Sequence, residues 1–83
     1  MAEGQIKVFG ASWCPDTLRA RRFLNHHQVP YEWHDIDRDD QARAYVIHVN
    51  GGRTTTPTIL FPDESVLVEP SDQALAEKLG VVS

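Results

Sequence analysis

The order of strand and helix patterns at the start of the chain restricts its fold more than any other feature. Gln5 to Phe9 is a short apolar segment with Ile6 and Val8 on one face, which is typical of a strand. Pro15 to about His27 repeats apolar residues at helical spacing, and Tyr31 to Asp37 alternates aromatic and polar residues as a second strand does. Two strands joined through a helix form a parallel pair with a right-handed crossover.

The second half of the chain adds one more helix, then a hairpin, then a closing helix. The pattern predicts a helix that begins at Asp39 or Asp40 and stops at Asn50-Gly51-Gly52, strands over Thr58 to Phe61 and Ser65 to Val68, and a last helix from Ser71 or Pro70 to Gly80. The expected fold class is therefore α/β, in the order β-α-β-α-β-β-α. We expect a four-stranded mixed sheet flanked by helices, in a single domain of residues 1–83.

Length and charge exclude several classes of function. A chain of 83 residues supports one modest core and one site. Its net charge of −4 argues against binding nucleic acid, which calls for a basic face. No apolar run approaches the roughly 20 residues of a membrane span. Met1 to Gln5 lacks the basic and apolar regions of an export signal, so we expect a cytoplasmic protein.

The sole cysteine, Cys14, lies between the first predicted strand and the first predicted helix. Pro15 is favoured at the first helical position, which puts Cys14 near the N-cap. Free backbone N–H groups and the helix dipole favour an anion there, so the thiol should ionise more readily than usual. Thr17 can direct its N–H and hydroxyl at the sulfur, whereas the carboxylate of Asp16 opposes a second anion and is expected to be solvated and to point away. The alternative is an inert, buried thiol.

Two further segments contain candidate binding groups. Thr55-Thr56-Pro57-Thr58 is either a polar entrance to the third strand or, with a cis Thr56–Pro57 bond beside the first helix, an edge with which an extended thiol substrate pairs. Ser71 and Asp72 open the last helix, where Ser71 acts as an N-cap and the free N–H groups suit a substrate carboxylate.

The remaining charged side chains show no pattern of a site. No His/Cys set has the spacing of a zinc site, so no metal is expected. The arginines are expected to be solvated, with Arg19 or Arg53 as the alternative contacts for a substrate carboxylate.

Together these segments resemble the glutaredoxins of the thioredoxin fold, and among them mycoredoxins most closely. The resemblance covers nearly the whole chain and is based on four motifs: Ser12-Trp13-Cys14-Pro15, Asn50-Gly51-Gly52, Thr55-x-Pro57-Thr58 and Pro70-Ser71. It implies a thiol–disulfide oxidoreductase with Cys14 as nucleophile, an active-site loop that also contains Trp13, Pro15, Asp16 and Thr17, and a cis-proline at Pro57. It also implies a thiol-substrate groove formed by Thr55, Thr56, Pro57, Ser71 and Asp72.

The chain departs from the dithiol form of this family at Thr17, where a second cysteine usually stands. With one cysteine it cannot form an internal disulfide, so only a single-thiolate route is open. Cys14 would attack a mixed disulfide between a protein and a low-molecular-weight thiol. We expect S-thiolated proteins as substrates, glutathione, mycothiol or a similar thiol as co-substrate, no bound cofactor, and a monomer. Ser12 and Trp13 occupy the stretch in which many glutaredoxins carry a basic residue, which weakens the case for glutathione.

Two other functions remain open from the sequence. One alternative is an iron–sulfur cluster carrier, because the single-cysteine members of this family that carry clusters resemble the chain in having one thiolate. However, Pro15-Asp16-Thr17 is stiffer and more acidic than the Gly-Phe-Ser usual in such carriers. A redox-silent module that uses the groove only to bind peptides is the other alternative.

Overall fold

The computed structural model of the chain describes residues 5–82, and its elements follow the predicted order. The strands are β1 (Ile6–Gly10), β2 (Tyr31–Asp35), β3 (Thr58–Leu60) and β4 (Val66–Val68); the helices are α1 (Pro15–His26), α2 (Asp40–Val49) and α3 (Asp72–Leu79). Residues 1–4, which make up most of the segment tested for an export signal, and Ser83 lie outside the described part of the chain.

The four strands form one mixed sheet in the order β2-β1-β3-β4. β1 and β2 are parallel, with Ile6 opposite Tyr31 and Gly10 opposite Asp35. β3 is antiparallel to both β1 and β4, and the β3–β4 pair is the predicted hairpin. The predicted architecture is thus confirmed, including the parallel first pair that its crossover helix requires.

Alternation along β1 distributes side chains to two cores, one on each face of the sheet. Ile6 and Val8 face the larger core, which α1 and α3 cover, while Phe9 faces a smaller core beneath α2. The larger core also contains Ala20, Phe23, Leu24, Ile59, Phe61, Leu75 and Ala76. This sheet, covered on both faces, carries the loops at the carboxyl end of β1 and the start of β3.

Several element boundaries differ from the sequence prediction. The largest difference is β2, which ends at Asp35 and not at Asp37. The Asp35 carboxylate accepts a hydrogen bond from the Asp37 N–H at 2.9 Å, and this turn leads the chain away from the sheet. β1 begins and ends one residue later than predicted, β3 ends at Leu60, β4 begins at Val66, and α1 ends at His26.

Side-chain contacts also join the hairpin to α3. The Lys78 ammonium lies 2.7 Å from the Asp63 carboxylate at the turn between β3 and β4. Hydrogen bonds from Lys78 and Ser65 hold the pKa of Asp63 well below its usual range.

None of the helices described within residues 5–82 has the length and apolarity that crossing a membrane requires.

Candidate functional site

Cys14 is the N-cap of α1 and is held there by backbone hydrogen bonds. Its N–H donates to the Ala11 carbonyl at 3.1 Å, and its own carbonyl accepts from the Leu18 N–H at 3.0 Å. Pro15 occupies the first turn, as predicted, and Cys14 makes no side-chain cap hydrogen bond to the helix. The thiol is partly exposed, so it lies at the mouth of the helix with access to solvent.

The surroundings of Cys14 favour its thiolate. Burial acts to raise the pKa of the thiol, and hydrogen bonds from the Thr56 side chain, the Thr17 N–H, the Thr17 hydroxyl and the Asp16 N–H act to lower it. The lowering prevails, so the pKa of Cys14 lies below its ordinary value. Donors aimed at the charged form stabilise it over the neutral thiol.

Thr17 is positioned to donate its hydroxyl hydrogen to the sulfur. The side chain is fully buried, and its Oγ1 accepts a hydrogen bond from the Ala11 N–H at 3.5 Å. Gly10 makes room for it, since a Cβ at that position would lie 2.6 Å from the Thr17 methyl carbon and 2.7 Å from its oxygen. The residue that replaces the second cysteine of the dithiol pattern is therefore packed as a fixed donor.

We expected the Asp16 carboxylate to be solvated and to point away from Cys14, but it also has a partner in the protein. It forms an ion pair with the Arg19 guanidinium at 2.9 Å while its side chain remains 41% exposed. The pairing neutralises much of the negative charge that would oppose a thiolate two residues away.

The loop before β3 lies directly beside Cys14. The Thr56–Pro57 bond is cis, and the thiol approaches the Thr56 carbonyl oxygen at 3.9 Å, the distance of a weak S–H donor. No acceptor for the Thr56 N–H is present among residues 5–82. The geometry brings these two segments together across 42 positions of sequence.

A partly buried polar network holds this loop in place, and the sequence analysis did not predict it. Asn50 caps α2 and its amide nitrogen donates to the Val46 carbonyl at 2.9 Å and to the Thr58 hydroxyl at 3.0 Å. The Thr58 hydroxyl in turn donates to the Thr55 carbonyl at 2.9 Å. An asparagine ahead of two glycines signals a helix end, but nothing local indicates that its amide reaches the next strand.

The start of α3 lies on the same side of the molecule. The Glu69 N–H donates to the Pro57 carbonyl at 2.9 Å, and Arg19 reaches the Pro70 carbonyl at 3.4 Å and the Asp72 carboxylate at 3.8 Å. Ser71 caps α3 by accepting from the Ala74 N–H at 3.1 Å. Arg19 is exposed, as predicted, with 43% of its side chain accessible, and it also links α1 to the start of α3.

Two aromatic contacts complete the description. Trp13 is 71% exposed beside Cys14, and its indole N–H donates to the Asp37 carboxylate at 2.8 Å. Arg21, also expected to be solvated, stacks over the Trp33 ring at 4.0 Å.

Within residues 5–82 no group of three or more His, Cys, Asp or Glu side chains is placed to hold a metal ion.

Comparison with known proteins gives a consistent result. The glutaredoxin family model matches residues 6–66. A glutaredoxin of Mycobacterium tuberculosis is 34% identical over 95% of this chain and 94% of its own length, and Mycoredoxin 1 of Corynebacterium glutamicum is 23% identical over 94% and 96%.

Solved structures agree on the fold. A mutant of the thioredoxin-like protein BC3987 superposes with a TM-score of 0.81 at 27% identity, over 99% of this chain and all (100%) of the other. The glutaredoxin of Methanosarcina mazei superposes with a TM-score of 0.78 at 23% identity, over 94% and 80%. The chain has the thioredoxin-like fold, belongs to the glutaredoxin family and is a glutaredoxin-like thiol oxidoreductase.

Proposed function

We propose that the chain reduces mixed disulfides between proteins and a low-molecular-weight thiol, with Cys14 as its only reacting sulfur. The observation that carries this proposal is the set of hydrogen-bond donors on that sulfur, which lower the pKa of Cys14 at the open end of α1. The thiolate is the nucleophilic form, and its fraction sets the rate of attack.

The reaction takes two exchange steps. The Cys14 thiolate attacks the small-thiol sulfur of the mixed disulfide, forms a disulfide with it, and releases the protein sulfur as a thiolate that takes a proton from solvent. A second small thiol, as its thiolate, then attacks the sulfur that the first one left on Cys14. This frees Cys14 as a thiolate and yields the oxidised small thiol, so one free small thiol is oxidised for each protein thiol released.

The groove for the small thiol is formed by the loop before β3 and the start of α3. The Thr56 N–H has no acceptor among residues 5–82, so an extended thiol can pair with it as an added strand does. The N–H groups of Asp72 and Gln73 likewise have no acceptor in that part of the chain, and such groups favour a carboxylate. Thr55 and Pro57 shape this edge, and the Asn50–Thr58 network keeps it in register with Cys14.

A thiol-transfer assay tests the proposal. The substrate is a peptide whose one cysteine is disulfide-linked to glutathione, mycothiol or bacillithiol, and the same thiol is supplied as reductant. We expect turnover with at least one of the three, an adduct of that thiol on Cys14 by intact mass, and neither with Cys14→Ser. Absence of turnover with all three would refute the proposal. A visible absorption band after anaerobic reconstitution with iron and sulfide, without turnover, would instead favour a cluster carrier.

A further inference from the structure

A groove runs along α1 on the side that faces the start of α3. It has a volume of about 280 Å³ and is lined by Arg19, Arg22, Phe23, His26, His27 and Asp72. Five of these six residues lie on one face of α1, at the i, i+3, i+4, i+7 and i+8 spacing of a helix. The groove begins beside Arg19, which already links α1 to the proposed thiol groove, and continues away from Cys14.

The positive charge of the groove comes from Arg22. The other guanidinium, that of Arg19, is paired with the Asp16 carboxylate at 2.9 Å and lies 3.8 Å from that of Asp72. Arg22 is exposed and has no carboxylate within ion-pair distance in the described part of the chain. The floor is apolar and aromatic, since the Phe23 and His27 rings pack at 4.4 Å between centroids.

We propose that this groove docks an acidic segment of the S-thiolated protein substrate, an inference that rests on the proposed function. The Arg22 guanidinium is complementary to aspartate and glutamate side chains, and such complementarity steers association and selects partners.

Distance favours a polypeptide over the small thiol as occupant. Arg22 and His26 follow Cys14 by eight and twelve positions, which places them about 12 and 18 Å further along the helix axis. A small thiol held by its sulfur at Cys14 and by its chain at Thr56 does not span that length. A polypeptide does, because about four to six extended residues cover it at ~3.3 Å each.

The test uses three labelled peptides and the Cys14→Ser protein, so that binding is measured without turnover. Each peptide has one cysteine linked to the small thiol. The first has three glutamates four to six residues after the cysteine, the second has glutamines there, and the third has the glutamates on the other side of the cysteine. We expect one of the two acidic arrangements to bind about tenfold more tightly than the glutamine peptide at low ionic strength, with the difference shrinking as salt is added.

Matched variants assign that preference to the groove. Arg22→Glu should reduce the preference for the acidic peptide over the glutamine peptide by at least about fivefold. Arg43→Glu makes the same charge change at an exposed position of α2 across the sheet and should alter binding by less than about twofold. Amide NMR shifts on adding the acidic peptide should concentrate at Arg22, Phe23 and His26.

Other outcomes would contradict either the docking proposal or the proposed function. Equal affinity for acidic and glutamine peptides, shifts on another surface, or equal displacement by inorganic phosphate would overturn the docking proposal. So would self-association of the protein through this face in the absence of peptide. If the wild-type protein fails to turn over any mixed disulfide but the acidic preference and its loss in Arg22→Glu persist, the proposed function fails and the docking surface stands.

Discussion

The N-termini of α1 and of the other two helices are built differently. Asp39 caps α2 by accepting from the Gln41 and Ala42 N–H groups at 3.0 and 3.2 Å, and Ser71 caps α3 by accepting from Ala74. α1 begins instead with Cys14, which makes no side-chain cap hydrogen bond. Asp and Ser are among the strongest N-caps, whereas a neutral thiol is a poor acceptor.

Because α1 lacks such a side-chain cap, the amides of its first turn are available to an anion. When Cys14 is a thiol, the first turn of α1 lacks a cap. When Cys14 ionises, its sulfur accepts from the Asp16 and Thr17 N–H groups and becomes the cap. The helix is therefore less stable when Cys14 is a neutral thiol, and the same hydrogen bonds that stabilise the helix also favour the reactive thiolate.

The largest effect should come from Cys14→Ser, which puts a strong N-cap where the reacting sulfur was. Thiol transfer should fall to the uncatalysed rate, and the free energy of unfolding at pH 5–6 should rise by about 0.5–1 kcal/mol. The gain should shrink as pH rises, because the pKa of Cys14 is lower in the folded than in the unfolded chain. The wild type therefore gains stability between those two pKa values, up to about pH 8.5.

Urea unfolding of both proteins at a series of pH values measures this. A Ser variant that is less stable than the wild type at pH 5–6, or a difference independent of pH, would show that the N-terminus of α1 is not short of a cap.

Thr17→Val should have the next largest effect, since it removes one donor from the sulfur without changing the size of a fully buried side chain. The pKa of Cys14 should rise, and alkylation by iodoacetamide at pH 7 should slow by about three- to tenfold. Thr17→Ser keeps the hydroxyl and should retain most of the rate. If the Ser and Val variants lose rate equally, packing and not the hydroxyl accounts for the effect.

Asp39→Ala tests an ordinary cap of the same fold. Loss of two cap hydrogen bonds should lower the free energy of unfolding by about 1–2 kcal/mol while the alkylation rate of Cys14 stays unchanged. Thermal or urea unfolding gives the first quantity and thiol labelling the second. Asp40→Ala, in the same turn but without a cap bond, serves as control and should change stability by less than about 0.5 kcal/mol.

Ser71→Ala should have the smallest effect, because it removes a single cap bond from the short helix α3. We expect a loss of about 0.5–1 kcal/mol in the free energy of unfolding, again without any change in Cys14 alkylation. Ser71→Thr should restore most of the stability. A clear change in the alkylation rate of Ser71→Ala would contradict the separation between the caps and the reacting sulfur.

Local patterns predicted the elements well, and long-range contacts account for what they missed. Helix starts at Pro15, at Asp39-Asp40 and at Ser71 were readable because caps and first-turn preferences act within a few residues. The end of β2 was placed two residues too late because the prediction extended the strand beyond His34, where the aromatic–polar alternation stops, and past the turn that the Asp35 side chain makes. The contacts of Arg19 with Pro70 and Asp72 were missed because these residues lie at the start of another helix, far away in sequence.

Residue identity and local spacing are enough to place one thiol at the start of a helix and to rule out an internal disulfide. The groups that surround this thiol depend instead on tertiary contacts. Thr56 reaches it from 42 positions away, and Asn50 holds the intervening loop, only because the sheet sets β1 beside β3. Such contacts depend on the packing of whole elements, and no local pattern encodes them.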